Sequence, residues 1–339
     1  MTTRYGLWLA IWLMATMAIS CGENKKENEN NGIIVKKSAR TRVKGRIIEK
    51  VRVVQIPLTA GENNLRGVVH TVAYTTYGYD TKAERALRDS GLNVYDEQGR
   101  LTRQDAWDKK GNKKWECVYE YDKTGKLTRW MLNMIAKGVQ DTTTFAYDTK
   151  GNKIKAETRA NDPAISGRKE YTYDEQGNET SVTEYASGNK IRSLSRSNYN
   201  NMGDQVVLAD LFPDRTPYMT RTATYDLYGS IVSLQLYVGD SMTSKSVMTN
   251  DGRGKHVEIK MYDGKGRFSG RAAYAYDTSG NMVEHTNYDA SDAPADTRTV
   301  LEHEYDSAGN VTRTVTYTEK KGKRSPQNSV VYRYTYYRK

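Results

Sequence analysis

Tyr121-Asp122-Lys123-Thr124-Gly125-Lys126-Leu127 sets the build of this 339-residue chain, because its frame returns at a fixed spacing. Tyr95, Asp96 and Gly99 hold the same places one unit earlier. Tyr147, Asp148 and Gly151 follow, then Tyr173, Asp174 and Gly177, and, after a copy at Tyr199 with Asn200 for Asp, Tyr225, Asp226 and Gly229. These six starts are 26 residues apart. A degenerate copy begins at Asn250, and full frames return at Tyr276, Asp277 and Gly280 and at Tyr305, Asp306 and Gly309. Self-similarity at a fixed period marks a repeat architecture, in which one array continues as a single unit whatever the chain length.

The chemistry of the frame specifies a turn. An Asp at the first position accepts a backbone hydrogen bond, and a Gly three residues on takes a positive φ where a Cβ would clash. A turn of this length with a bulge joins antiparallel strands, so each unit is read as two strands and two turns. Before the turn, Tyr119, Phe145, Tyr171 and Tyr274 stand two residues back from the frame Tyr and share its face. Ser197 and Ala223 hold that place in the middle of the array. The return turns vary: Asp108–Asn112, Ala186–Asn189 and Asp289–Asp296. Two strands per unit give roughly 18 to 22 strands, and so wide a twisted sheet curls, closes or splits. The fold class expected is all-β, a repetitive antiparallel hairpin array of period 26 forming a curled or spiral β-sheet. A propeller would need a period near 52, and alternate units are no more alike than neighbours.

Composition agrees. Hydrophobic residues make up 37% and mean hydropathy is −0.81, too little apolar material for a large globular core. Disorder is opposed by 10% aromatics, only 6 Pro and regular period-2 stretches. The aromatics are 26 Tyr against 3 Phe, which suits a thin sheet with wet faces. The net charge of +11 comes from Lys and Arg interleaved with Asp and Glu along the strands. That pattern is a solvated surface, and nucleic acid is not among the expected partners.

The first 20 residues form a lipoprotein signal peptide by pattern: Arg4, a short apolar run from Leu7 to Ile19, then Ser20-Cys21. The apolar run is too short to span a bilayer. It resembles a bacterial lipoprotein signal, which implies lipidation of Cys21 and attachment to a membrane. Residues 21–32 are a polar tether, similar to the surface-export tags of Bacteroidota lipoproteins. Residues 33–94 are read as an N-terminal β cap with one or two helical turns at Thr81–Leu87, 95–311 as the array, and 312–339 as a C-terminal capping hairpin. With Cys21 lipidated, Cys117 has no partner; alternation sets it beside Trp115 and Tyr119 as a buried, inert thiol.

The frame Tyr-Asp-x-x-Gly-Arg/Asn-x, as in Tyr95–Leu101 and Tyr305–Val311, resembles the YD (RHS) repeat of bacterial surface and toxin proteins and of the related teneurins. The resemblance covers Tyr95 to Val311. It implies hairpins in a spiralling sheet and binding of carbohydrate or protein at the cell surface. Neither the associated core region nor a toxin domain is expected among these 339 residues, and the layout is similar to small repeat lipoproteins of Bacteroidota.

No catalytic constellation stands out, so an enzyme is not expected, nor any cofactor or metal. If the loop Asp289–Asp296 centred its hairpin near position 294, His285 would face His303 and Glu284 would face Glu304; two His without a third ligand make a polar pair rather than a metal site. A transmembrane barrel is weighed against because charged residues such as Lys153, Lys155 and Glu157 alternate with Ile154, Ala156 and Thr158. The function expected is a lipid-anchored surface, at the outer membrane or cell surface, that binds glycan or protein through exposed aromatics such as Trp107 and Trp130. The alternative is an immunity or envelope-assembly factor with one dedicated protein partner.

Overall fold

A computed structural model describes residues 42–43, 46–47, 59–61, 63–80 and 85–338. The signal peptide, Cys21 and the tether lie outside the described residues, as do residues 81–84. The remainder of the proposed helical turn, from Arg85 on, is strand.

Each hairpin is built by its turn. The Asp122 N–H donates to Lys126 O at 2.9 Å and Gly125 N–H to Asp122 O at 2.9 Å. One carboxylate oxygen of Asp122 accepts from the N–H groups of Thr124 and Lys126, at 2.8 and 3.0 Å. These bonds hold the carboxyl below the usual carboxylate range, first through the Thr124 hydroxyl and then through the Lys126 amide. The frame glycines Gly99 to Gly309 have φ of 74° to 87°, as the turn requires. Register then slips by one: Glu120 faces Arg129 but Tyr121 faces Leu127, leaving Thr128 as a bulge. Such a bulge at every unit adds twist at the same rim.

The twenty strands from Val69–Tyr79 to Lys323–Tyr336 each pair antiparallel with their chain neighbours. The last also pairs with the first, from Asn328 opposite Gly78 to Tyr336 opposite Val69. The sheet is therefore a closed barrel and not the curled or spiral open sheet expected from the period. Twist accumulated over so many strands brings the two ends together, and pairing satisfies both edges at once. For the same reason the terminal strands do not cap: Val69–Tyr79 and Lys323–Tyr336 are each other's neighbours. Twenty strands at ordinary spacing and tilt close at roughly 40 Å across.

Cross-strand partners share a face, so the registers sort every strand into a tyrosine face and a charged face. Tyr119, Trp130, Thr143 and Thr158 face one another in turn on the first. Ion pairs crowd the second: Arg129–Glu120 at 2.6 Å, Arg298–Glu319 at 2.6 Å and Arg313–Glu304 at 2.9 Å. The main buried cluster lies by the closing seam, around Val69, Val72, Tyr95, Leu101, Cys117 and Tyr119. A short segment clasps that seam. Ala60 N–H donates to Gly99 O at 2.7 Å at one end; at the other Asn310 accepts from Arg66 N–H at 2.7 Å and donates to Arg66 O at 2.9 Å.

Candidate ligand-binding site

The frame residues come together only as a scaffold, all at one rim. The tyrosines do more than supply a wet face. Tyr121, Tyr147, Tyr173 and Tyr225 each donate their hydroxyl, at 2.7 Å, to the carbonyl of the residue twenty before: Leu101, Leu127, Lys153 and Gln205. Tyr199 and Tyr276 do the same at 2.8 and 2.9 Å. That carbonyl opens the neighbouring strand just past the preceding turn, so the hydroxyl ties each unit to the one before. Desolvation pushes the hydroxyls of Tyr147 and Tyr225 up to about 12. In the degenerate copy the Asn250 amide replaces the phenol, donating to Ile231 O at 3.1 Å. Tyr305 departs: its hydroxyl meets Asp277 and Asn281, and His303 Nε2 takes the vacated role, donating to Met282 O at 2.9 Å.

Five consecutive strands break the pattern on the charged face: Glu179–Ala186, Ile191–Tyr199, Gln205–Leu211, Pro217–Tyr225 and Ile231–Val238. Their paired positions there are Ser, Thr, Asn, Gln, Val, Ala, Leu, Ile, Pro and Tyr, and the only charge among them is Arg196. On either side the charges resume, with Arg168 and Glu170 on one flank and Lys245 on the other. Small side chains between larger ones leave a groove of about 430 Å³, with Thr172, Ser181, Thr183, Leu194, Arg196 and Arg215 in its walls. Thr172 shares hydrogen bonds with Thr180 at 2.9 Å and Ser181 at 2.7 Å. Arg196 faces Ser181 and Ala209 across its strands. Neither the Arg196 nor the Arg215 side chain forms an ion pair or hydrogen bond with any other described residue.

Arg215 belongs to the turn Phe212–Thr216, where Arg215 N–H donates to Phe212 O at 2.8 Å. The same hairpin carries Phe212 and Tyr218, 51% and 38% exposed, with ring centroids 5.0 Å apart. A wet aromatic pair thus stands on the hairpin that lends Arg215 to the groove wall. These are not the aromatics expected. Trp130 is half-buried, edge-on to Tyr119 and Phe145 at 6.2 Å each, and the half-buried Trp107 lies under the Lys113 ammonium at 5.8 Å. The signal for Phe212 lay in Phe212-Pro213-Asp214-Arg215-Thr216-Pro217, a return turn unlike the others.

The histidine pair does not form. His285 faces Thr299 and stacks on Tyr274 at 4.9 Å, while His303 faces Thr314. Glu284 faces Val300 and Glu304 faces Arg313. The reason is the turn: Asp289 N–H donates to Ala293 O at 3.0 Å and Asp292 takes the glycine's place at φ 62°, so the hairpin closes before position 294. Among the described residues no group of three or more His, Cys, Asp or Glu could hold a metal. Cys117 is buried and free, and desolvation pushes its thiol up.

No protein-family model matches the chain, and no curated protein matches it. Solved structures match in part. A porin-like protein from Bacteroides uniformis aligns at 14% identity with a TM-score of 0.37, over 82% of this chain and 99% of that one. The TcdB2-TccC3 structure aligns at 16% identity and a TM-score of 0.39, over 76% of this chain and 16% of that one. The Photorhabdus luminescens Tc holotoxin pore aligns at 15% identity and 0.38, over 72% and 15%. The chain thus spans about a sixth of the toxin chains it matches. These scores describe β-rich likeness and assign neither family nor activity. What stands on the chain itself is a β-rich repeat barrel.

Proposed function

We propose that this chain is a YD-repeat lipoprotein of the cell envelope whose barrel binds glycan without catalysis. The observation that carries the reading is the carboxylate-free window with its hydroxyl-lined groove, in a face otherwise crowded with ion pairs. Sugars are bound by hydroxyl and amide groups and by aromatic faces at a wet rim, and Phe212 and Tyr218 supply the latter. Attachment through Cys21 rather than immersion fits the charge pattern. Lys169–Glu184 at 3.3 Å and Arg221–Asp210 at 2.7 Å sit on the tyrosine face, and ion pairs occupy the other, so neither face offers a lipid-facing band. The test is a glycan array probed with the full chain, followed by titration of Phe212→Ala. Loss of at least tenfold in affinity for the captured sugar is expected; an array with no binder would sink the reading. Fractionation of cells making Cys21→Ser tests the anchor, with release from the membrane the expected result.

One feature favours a dedicated protein partner as the second reading. At the frame turn Asp226–Ser230, Leu227 and Tyr228 are 69% and 85% exposed, where most other units carry polar residues. Pull-down from intact envelopes with Leu227→Ser/Tyr228→Ser as the control separates the two readings. A partner lost with this variant favours the second.

A further inference from the structure

We infer that the groove takes an acidic sugar, whose carboxylate or sulfate is held by Arg196 and Arg215. The inference rests on the reading of the groove as a glycan site and adds the ligand's charge to it. On other strands of this face several guanidinium groups are neutralised by neighbours: Arg103 by Asp105 at 2.8 Å, Arg298 by Glu284 and Glu319 at 3.0 and 2.6 Å, Arg324 by Glu302 at 2.7 Å. The five window strands place no carboxylate on the face, so Arg196 is left between a serine and an alanine. Arg192, close by in sequence, turns instead to Glu184 at 3.0 Å and the Ala164 carbonyl at 2.9 Å.

Arg215 is unusual in a second way. It occupies the left-handed position of its turn, with φ 72°, where the frame turns use glycine. A long side chain is strained there relative to glycine. The strain sets a second unneutralised guanidinium against the groove that already holds the first. Two forks with five donors each, and hydroxyls between them, match the oxygens of a carboxylate or sulfate and compete with no acid of the protein's own. The hydroxyls of a neutral sugar can accept from these groups but leave both charges uncompensated.

The experiment is calorimetric titration of the full chain with three probes of equal length: an oligogalacturonate, its carboxyl-reduced neutral counterpart, and an O-sulfated version of that counterpart. One or both acidic probes should bind at least tenfold more tightly than the neutral one, and which of them does so separates carboxylate from sulfate. Arg196→Gln and Arg215→Gln should each cost about tenfold on the acidic probe. Neither should change the melting temperature, since neither side chain has a partner to lose, and the cost on the neutral probe should be smaller than on the acidic one. Lys123→Gln, an exposed charge at the opposite rim, controls for general attraction to a basic protein and should have no effect. Equal binding of neutral and acidic probes overturns the inference while leaving the glycan reading intact. So does acidic binding that Lys123→Gln weakens as much as Arg196→Gln does. Binding of none of the three overturns the inference, and an array without binders overturns the glycan reading beneath it.

Discussion

The hydroxyl of most frame tyrosines makes a bond that its ring cannot, and a single oxygen separates the two. Tyr173→Phe keeps the packing and removes the bond to Lys153 O, leaving a strand-opening carbonyl to find water. A neutral bond of this kind contributes about 1 kcal/mol. Urea unfolding of Tyr173→Phe should therefore show a loss of that order. Tyr95→Phe should be neutral or slightly stabilising, because that hydroxyl is buried and meets no partner of good geometry. A loss no larger at Tyr173 than at Tyr95 would show that the bond to Lys153 O contributes nothing of its own. The tyrosine was legible in the sequence as a periodic mark, as were the turn roles of Asp and Gly. Its bond was not, because the acceptor is a backbone carbonyl twenty residues earlier on another strand, and backbone carbonyls leave no trace in side-chain patterns.

Elements are joined most tightly where the chain closes on itself. Asn310 receives the Arg66 N–H, donates to Arg66 O and lies 2.9 Å from the Tyr336 hydroxyl, so one amide links the clasp, the last frame turn and the last strand. Asn310→Ala breaks all three bonds and should cost about 1–3 kcal/mol, the range for leaving buried polar groups unsatisfied. Gly309→Ala attacks the same joint through the backbone. Its φ is +87°, and a Cβ would lie 2.5 Å from the Arg66 guanidinium, so it too should destabilise. Hydrogen exchange should quicken first in Val69–Tyr79 and Lys323–Tyr336 in both variants; uniform quickening would show that the clasp has no local role. Hairpins were legible at this scale because each is specified within a few residues. The groove was not, since it depends on which residues of five strands share a face. That sorting turns on one-residue bulges such as Thr128, and the histidine pair failed on an error of the same kind.

At the scale of the whole barrel, two half-buried rings couple stability to pH. Desolvation holds His256 and His285 below the ordinary histidine value, so folding favours their neutral forms. In the unfolded chain a histidine takes its proton near pH 6.5. The stability these rings contribute is therefore complete above that pH and is lost as pH falls through their lower folded values. The thermal midpoint should drop as pH falls below about 6.5, and His256→Gln/His285→Gln should flatten that limb. Closure itself has a direct chemical test. Thr71 and Thr335 face each other across the seam with hydroxyl oxygens 2.7 Å apart, although 264 residues separate them in sequence. Opposed positions of this kind lie close to the Cβ separation that a disulfide spans. In a background lacking Cys21 and Cys117, Thr71→Cys/Thr335→Cys should oxidise to a single cross-linked monomer with faster gel mobility. Because the loop closed is so long, the bond should raise stability by about 3–5 kcal/mol through the unfolded state. An open spiral would hold these residues apart, and cross-links would then form only between molecules, with a yield that rises with protein concentration.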